Sequence, residues 1–220
     1  MSVWAIVAAA GRGDRLGADR PKAFVALGGR VLLAESLERL ESSDLVDAIV
    51  VAAPPGWEEP AILLAEELGA GKVVSVVPGG ETRGASVAAA LAEVADDATA
   101  VLVHDAARPF VTEPVLERLL AALAEGWDGA VPGLAVSDTV KRVDGERVVE
   151  TLARDALVTV QTPQAFAAAA LRAAYAAGGE ETDCAALVEA NGGRVKVVEG
   201  DPRLLKVTTR ADLQLVESWL

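Results

Sequence analysis

A glycine loop that carries positive charge follows the first apolar run of the sequence. The loop contains three glycines and three cationic side chains, Gly11, Gly13, Gly17, Arg12, Arg15 and Lys22. Glycines can take positive φ values and direct backbone N–H groups at an anion, while guanidinium and ammonium groups add fixed charge. The G-x-G-x-x-x-G spacing is not a dinucleotide or P-loop signature, and by itself it also fits an ordinary strand-to-helix turn. Because the whole chain has a net charge of −13, this local cluster of cations favours a polyphosphate site.

Two further polar segments follow predicted strands. Gly79-Gly80 comes after the third apolar run, and Asp105 and Arg108 come after the fourth. In open α/β sheets ligands bind at the carboxyl ends of the strands, so we expect these segments to lie beside the glycine loop. A carboxylate such as Asp105 is a suitable magnesium ligand, although a single aspartate at the end of a strand is also a common helix cap.

Apolar runs that alternate with amphipathic segments form the frame for these loops. The alternation predicts an α/β fold, in which a mostly parallel central sheet is covered by helices on both faces. Strands are expected at residues 2–10, 46–53, 73–77, 100–103, 129–136, 158–160 and 195–198. Helices are expected at residues 34–40, 62–68, 83–95, 113–124, 166–177, 182–190 and 210–219. Thr82 is the expected N-cap of the third helix. We expect one domain over residues 1–220.

Residues 137–157 interrupt this pattern. Two stretches of alternating polarity surround Asp144-Gly145, which is a strong hairpin signal. An isolated two-stranded hairpin is marginal in water, so we expect this insertion to lie against a second subunit. A solvated surface hairpin is the alternative.

Composition narrows the class of protein. The chain has 220 residues and 52% hydrophobic content, enough for a sizeable core. Its apolar runs are too short for a membrane span, and the first leads into a charged loop rather than a cleavage site, so we expect a soluble protein without a signal peptide. The acidic balance argues against nonspecific nucleic-acid binding. The single cysteine, Cys184, excludes an intramolecular disulfide and favours a reducing cytoplasm.

The motifs taken together resemble one family. AAAGRGDRLGADRPKAF, GGETRGASV, HDAARPF, DTVK, QTPQAF and LLKVTTRADL, in this order, closely resemble the 2-C-methyl-D-erythritol 4-phosphate cytidylyltransferase family of Rossmann-like nucleotidyltransferases. The resemblance implies a three-layer fold with a β-hairpin arm, and a homodimer in which the arms are exchanged. It also implies CMP transfer from CTP to methylerythritol 4-phosphate, by direct attack of the acceptor phosphate on the α-phosphate, with pyrophosphate as the second product and magnesium as the divalent cation.

The same resemblance implies the roles of individual residues. The catalytic set is Arg15, Lys22, Arg154 and Lys206. The nucleotide-binding set is Ala9, Ala10, Gly11, Arg12, Gly13, Gly80, Glu81, Ser86, Asp105 and Ala106. The acceptor-binding set is Arg108, Thr139, Arg154, Thr162 and Lys206. Asp105 is the implied metal ligand, with the metal held mainly through the CTP phosphates. Glu81 stands where the family pattern has aspartate.

Two other interpretations remain open from the sequence. A ribitol 5-phosphate cytidylyltransferase would share the loop, the HDAARP-type motif and the arm. A regulatory domain that binds a nucleotide without turnover would belong to a different class, and the presence of Arg15, Lys22 and Asp105 together counts against it.

Overall fold

The structure is a computed structural model that describes residues 1–11, 13, 16–17, 19–178 and 183–220. Arg12 and Arg15 of the glycine loop lie outside the described residues, as does Thr182 in the expected sixth helix. The strands are β1 Val3–Ala8, β2 Ala26–Leu27, β3 Arg30–Val31, β4 Ala48–Ala53, β5 Val73–Pro78, β6 Ala100–Asp105, β7 Gly129–Ala135, β8 Lys141–Asp144, β9 Arg147–Thr151, β10 Val158–Val160, β11 Gln164–Ala167 and β12 Val195–Glu199. The α-helices are α1 Leu32–Glu41, α2 Glu58–Glu67, α3 Arg83–Leu91, α4 Glu113–Ala124, α5 Ala168–Ala177, α6 Cys184–Ala190 and α7 Arg210–Glu217.

Eight strands of the described chain form a central sheet. Their order is β10-β7-β11-β6-β1-β4-β5, with β12 paired to β7. The strands β6, β1, β4 and β5 run parallel to one another, and β12 runs parallel to β7. Strands β10 and β11 are antiparallel to β7. The predicted mostly parallel sheet is therefore confirmed.

Helices cover both faces of this sheet. Ala5 and Val7 of β1 belong to an apolar cluster with α1, α2 and α4, whereas Ile6 belongs to a cluster with α3, α5 and α6. This alternation follows from the two-residue period of a strand, whose successive side chains point to opposite faces. The result is the expected three-layer arrangement of helices, sheet and helices.

Strand β11 is a part of the fold for which the sequence interpretation was wrong. A helix was expected over residues 166–177, but Gln164–Ala167 form a strand and the helix begins at Ala168. Phe166 is fully buried and lies opposite Gly129 of β7. The alanine-rich segment has no clear period of its own, and its backbone is satisfied by pairing with β6 and β7 on either side.

A third apolar cluster joins the N-terminal loop to the C-terminal helix. Its buried members are Leu16, Leu27, Leu32, Phe110, Val207 and Val216. The N–H of Val207 also donates to the carbonyl of Ala107 at 2.8 Å. These contacts hold the segment before α7 against the chain that leaves β6, and they place Lys206 at the end of that strand.

Strands β8 and β9 form a separate two-stranded hairpin. The hairpin predicted around Asp144-Gly145 is observed. Its two-residue turn is Gly145-Glu146, because Asp144 ends β8 and pairs with Arg147, and Gly145 has a φ of +56°. Every residue of both strands is exposed, and Val143 and Val148 are 57% and 54% exposed. We call residues 137–157 the arm. Its part in a dimer stays a prediction.

None of the helices in the described ranges combines the length and the apolar character that crossing a membrane requires.

Candidate active site

The carboxyl ends of the parallel strands bring three loops to one edge of the sheet. The N–H groups of Ala9 and Gly79 donate to carbonyl oxygens of β4 at 2.9 and 2.7 Å. The N–H of Ala106, which follows β6, donates to the carbonyl of Ala8 at the end of β1, at 3.1 Å. The expected convergence of the glycine loop with the segments after β5 and β6 is therefore observed.

The Gly79-Gly80 turn packs against the start of the glycine loop without room for a side chain. A Cβ atom on Gly79 would lie 2.3 Å from the Cβ of Ala10. The buried hydroxyl of Ser86 donates to the carbonyl of Thr82 at 2.9 Å and accepts the N–H of Gly80 at 3.1 Å. Ser86 thus shapes the turn next to the predicted nucleotide site.

The glycine loop folds back onto Lys22. Gly13 has a φ of +77°, and a Cβ atom there would lie 2.8 Å from the Cβ of Lys22. The N–H of Lys22 donates to the carbonyl of Gly11 at 3.2 Å. Only glycine has room for this close contact and this backbone conformation, so Gly13 allows the loop to pack directly against Lys22. Lys22 begins a short 3-10 turn that anchors it to the core through Phe24.

The carboxylate of Asp105 is the centre of charge at this edge. Asp105 is 7% exposed and belongs to β6, two residues beyond the end that we expected for that strand. One carboxylate oxygen accepts from Nε of Arg83 at 2.8 Å, and the other accepts from Nζ of Lys206 at 2.7 Å. Burial opposes ionisation, but the two cations outweigh it and hold the pKa of Asp105 well below its usual range.

Arg83 is the residue that sequence reasoning missed. It is the first residue of α3, and the hydroxyl of Thr82 caps this helix by accepting the N–H of Ala85 at 3.1 Å, as predicted. The guanidinium of Arg83 bonds Asp105 and also donates through Nη1 to Sγ of Cys184 at 3.5 Å. A cation inside the GGETR segment, which was already placed at this edge, is the signal that could have found it.

His104 and Thr162 form a buried hydrogen-bond chain behind the carboxylate. Burial lowers the pKa of His104 to about 4, against the attraction of Asp105. A carbonyl can only accept, so Nε2 of the neutral ring donates to the carbonyl of Arg108 at 3.0 Å, and Nδ1 accepts from the Thr162 hydroxyl at 3.2 Å. The Thr162 oxygen in turn accepts the N–H of Asp105 at 3.0 Å. Thr162 therefore fixes the end of β6 from behind.

Arg108 ties β10 to the segment that carries Lys206. Its guanidinium donates to the carbonyl of Leu204 and, at 3.4 Å, to the carbonyl of Val160. Burial lowers the pKa of Arg108 from its usual value. Its Nε is buried without a hydrogen-bond partner in the described chain.

The remaining predicted residues divide between this edge and the arm. Ala106 is buried, and its carbonyl accepts from the Ser36 hydroxyl at 3.4 Å, while Glu81 is exposed. Thr139 and Arg154 are exposed on the arm, where Arg154 donates to the carbonyl of Ser137. The structure therefore brings Asp105, Thr162, Arg108 and Lys206 together and leaves Thr139 and Arg154 outside their hydrogen-bond network.

The side chains at this edge do not fit a resident metal ion. Within the described ranges, no group of three or more His, Cys, Asp or Glu residues could hold one. Magnesium requires near-octahedral oxygen ligands, yet both oxygens of Asp105 already accept from cations. Asp105 could supply at most a single ligand to a metal that arrives with a phosphorylated substrate.

The glycine loop, the buried carboxylate and the cations beside it suit an enzyme that binds phosphorylated substrates at the edge of a Rossmann-like sheet. The family model described as IspD: 2-C-methyl-D-erythritol 4-phosphate cytidylyltransferase matches residues 3–220. A relative of that name from Saccharopolyspora erythraea is 50% identical over 225 residues, with 100% of both chains covered.

Solved structures agree with this match. The crystal structure of 2-C-methyl-D-erythritol 4-phosphate cytidylyltransferase from Thermus thermophilus has 38% identity and a TM-score of 0.79, covering 100% of this chain and 98% of that one. The enzyme from Francisella tularensis has 30% identity and a TM-score of 0.85, with 100% of both chains covered. This chain belongs to the 2-C-methyl-D-erythritol 4-phosphate cytidylyltransferase family, and it is an enzyme rather than a regulatory domain.

Proposed function

We propose that this enzyme transfers CMP from CTP to 2-C-methyl-D-erythritol 4-phosphate. An oxygen of the acceptor phosphate attacks the α-phosphate of CTP, the bond between the α-phosphate and its bridging oxygen breaks, and pyrophosphate leaves. The products are 4-diphosphocytidyl-2-C-methyl-D-erythritol and pyrophosphate. The observation that carries the proposal is the family match over residues 3–220, and the assembly of Lys22, Asp105 and Lys206 at one sheet edge supports it.

The glycine loop and Lys22 act on the triphosphate. Phosphoryl transfer does not require covalent catalysis by the protein. The protein mainly positions the reactants and stabilises the charge on the transferred group. Lys22 supplies a compact positive charge, and Arg12 and Arg15 of the same loop are proposed to add two more. The backbone of Ala9 to Gly13 follows the nucleotide, and the Gly80 turn beside Ser86 faces the cytosine and ribose.

Lys206 is proposed to bind the acceptor phosphate. Its side chain is 42% exposed although its ammonium touches the buried Asp105, so it can turn toward an incoming dianion. Arg108 and Thr162 hold the neighbouring backbone in place. The acceptor would then lie between Lys206 and the α-phosphate, with two anions brought together among cations.

Arg154 and Thr139 are proposed to reach the active site of a second subunit. The arm that carries them leaves Val143, Val148 and Val149 at least 49% exposed. A homodimer in which the arms are exchanged would cover these valines and complete both sites. Magnesium is proposed to enter as the counter-ion of CTP, with Asp105 near the ribose and phosphates. The reaction and the single thiol, Cys184, favour a cytoplasmic location.

The test is pyrophosphate release from CTP with magnesium. The acceptors to compare are methylerythritol 4-phosphate, ribitol 5-phosphate, erythritol 4-phosphate and none. We expect release with the methylated acceptor only. A preference for ribitol 5-phosphate would show that the enzyme is a ribitol 5-phosphate cytidylyltransferase. No pyrophosphate release with any acceptor would contradict the proposal.

A further inference from the structure

Arg83 is a partly buried cation to which the proposed chemistry assigns no role. Its Nε lies 2.8 Å from one oxygen of Asp105, and its Nη1 lies 3.5 Å from Sγ of Cys184. The hydroxyl of Tyr175 contacts the same sulfur at 3.4 Å. The guanidinium is thus held at two points, on β6 and on α6, and its backbone is held at the capped start of α3.

The two cations that share Asp105 differ in their freedom to move. The Lys206 side chain is 42% exposed, whereas that of Arg83 is 24% exposed. Lysine is also a flexible point charge, while the guanidinium is a planar group that keeps its charge under all ordinary conditions. Of the two, Lys206 is the cation that can leave the carboxylate for a substrate.

The departure of Lys206 would leave Asp105 with one cation. A buried carboxylate that loses its partner carries a large desolvation cost, and it would then pull the ammonium back. Arg83 opposes this because it bonds the other oxygen and stays in place. The ion pair of Arg83 therefore lowers the cost of moving Lys206 toward a phosphate.

We propose that Arg83 is a positioning residue, which holds the Asp105 carboxylate in place so that Lys206 can exchange between Asp105 and the acceptor phosphate. This inference rests on the proposed function. Arg83 itself touches neither substrate and acts through Asp105, with Cys184 and Tyr175 fixing its far end.

The experiment is a double-mutant cycle between Arg83→Gln and Asp105→Asn, read as kcat and KM for the acceptor. We expect Arg83→Gln alone to lower kcat/KM for the acceptor by about 30-fold, mainly through KM, because Lys206 is then retained by Asp105. In the Asp105→Asn background the same change should cost less than about threefold, since the group through which Arg83 acts is gone.

Arg83→Lys and Arg172→Gln are the matched variants. Arg83→Lys keeps a cation at the carboxylate, so we expect its kcat/KM for the acceptor to be much closer to the wild type than that of Arg83→Gln. Arg83→Lys also provides a measurement if Arg83→Gln does not fold. Arg172 of α5 donates to the carbonyls of Val94 and Ala95 and touches no carboxylate in the described chain, so Arg172→Gln should leave the acceptor KM within about twofold.

Equal losses from Arg83→Gln in both backgrounds, or no recovery by Arg83→Lys, would overturn the proposal. A wild-type enzyme that is inactive with every acceptor would overturn the proposed function instead. In that case, crystal structures of the wild type and of Arg83→Gln test whether Arg83 holds the Asp105 carboxylate in place. We expect the Asp105 carboxylate to rotate or shift in the variant, and an unchanged Asp105 and Lys206 would contradict the inference.

Discussion

The end of β6 and the arm are built in opposite ways. Asp105 is 7% exposed and its side chain and N–H group bond Arg83, Lys206 and Thr162, so this region is completed within one chain. The arm is bonded mainly to itself and exposes every residue of β8 and β9. One chain therefore holds in place the half of the proposed site around Asp105 and the glycine loop, which we call the preformed half. The half that carries Arg154 lies on the exposed arm, outside that network.

Removal of Lys22 should give the largest effect on the preformed half. We expect Lys22→Ala to lower kcat by about 10²- to 10³-fold, because a fixed charge at the developing transition state is lost. Pyrophosphate release measures the activity, and thermal unfolding should change little. Lys196→Ala is the control, since Lys196 pairs with Glu125 on the opposite part of the sheet. An activity loss shared by both variants would contradict the assignment.

Removal of Arg154 should test whether the arm acts across a dimer. We expect Arg154→Ala to raise the acceptor KM by about tenfold or more, because one cation near the phosphate is lost. In mixed dimers with Lys22→Ala, one of the two sites regains both residues, and activity should return to about half of the wild type. Verified mixed dimers without any recovery would show that the arm serves its own subunit.

The buried network should make stability depend on pH through His104. The pKa of His104 is lowered from 6.5 to about 4. Between these two pH values, His104 is therefore protonated in the unfolded chain and neutral in the folded chain. The free energy of unfolding should therefore fall as the pH drops from 6.5 to 4, by up to about 3 kcal/mol from this group. Urea unfolding of the wild type and of His104→Gln measures it. An equal pH slope in the two proteins would contradict the assignment of the neutral ring.

A charge on the arm should have the smallest effect on the folded chain. We expect Val148→Glu to change the free energy of unfolding of the monomer by less than about 0.5 kcal/mol, because Val148 is 54% exposed. The same change should shift the molar mass in solution from dimer to monomer. Val74→Glu is the matched control, because Val74 of β5 is 56% exposed and distant in sequence from the arm. If the Val148→Glu variant stays dimeric, this result would contradict a place for the arm in the dimer interface.

Local patterns predicted much of the fold. The bounds of α4, the cap at Thr82 and the hairpin around Asp144-Gly145 agree with the structure, because capping, helix periodicity and turn chemistry act over a few residues. The strand at Gln164–Ala167 was missed, because its preference for a strand comes from the two neighbours that pair with it and not from its alanine-rich sequence.

The sequence by itself determined which loops follow which strands, and thereby that the glycine loop, Gly79-Gly80 and Asp105 meet at one edge. Only the tertiary structure decided how the charges pair. Lys206 lies 101 residues from Asp105, and Arg83 lies 22 residues from it. Ion pairs of this kind depend on where the topology returns the chain and on which side chains are buried together. No local pattern encodes either condition, so the ion pair between Arg83 and Asp105 became visible only in the folded chain.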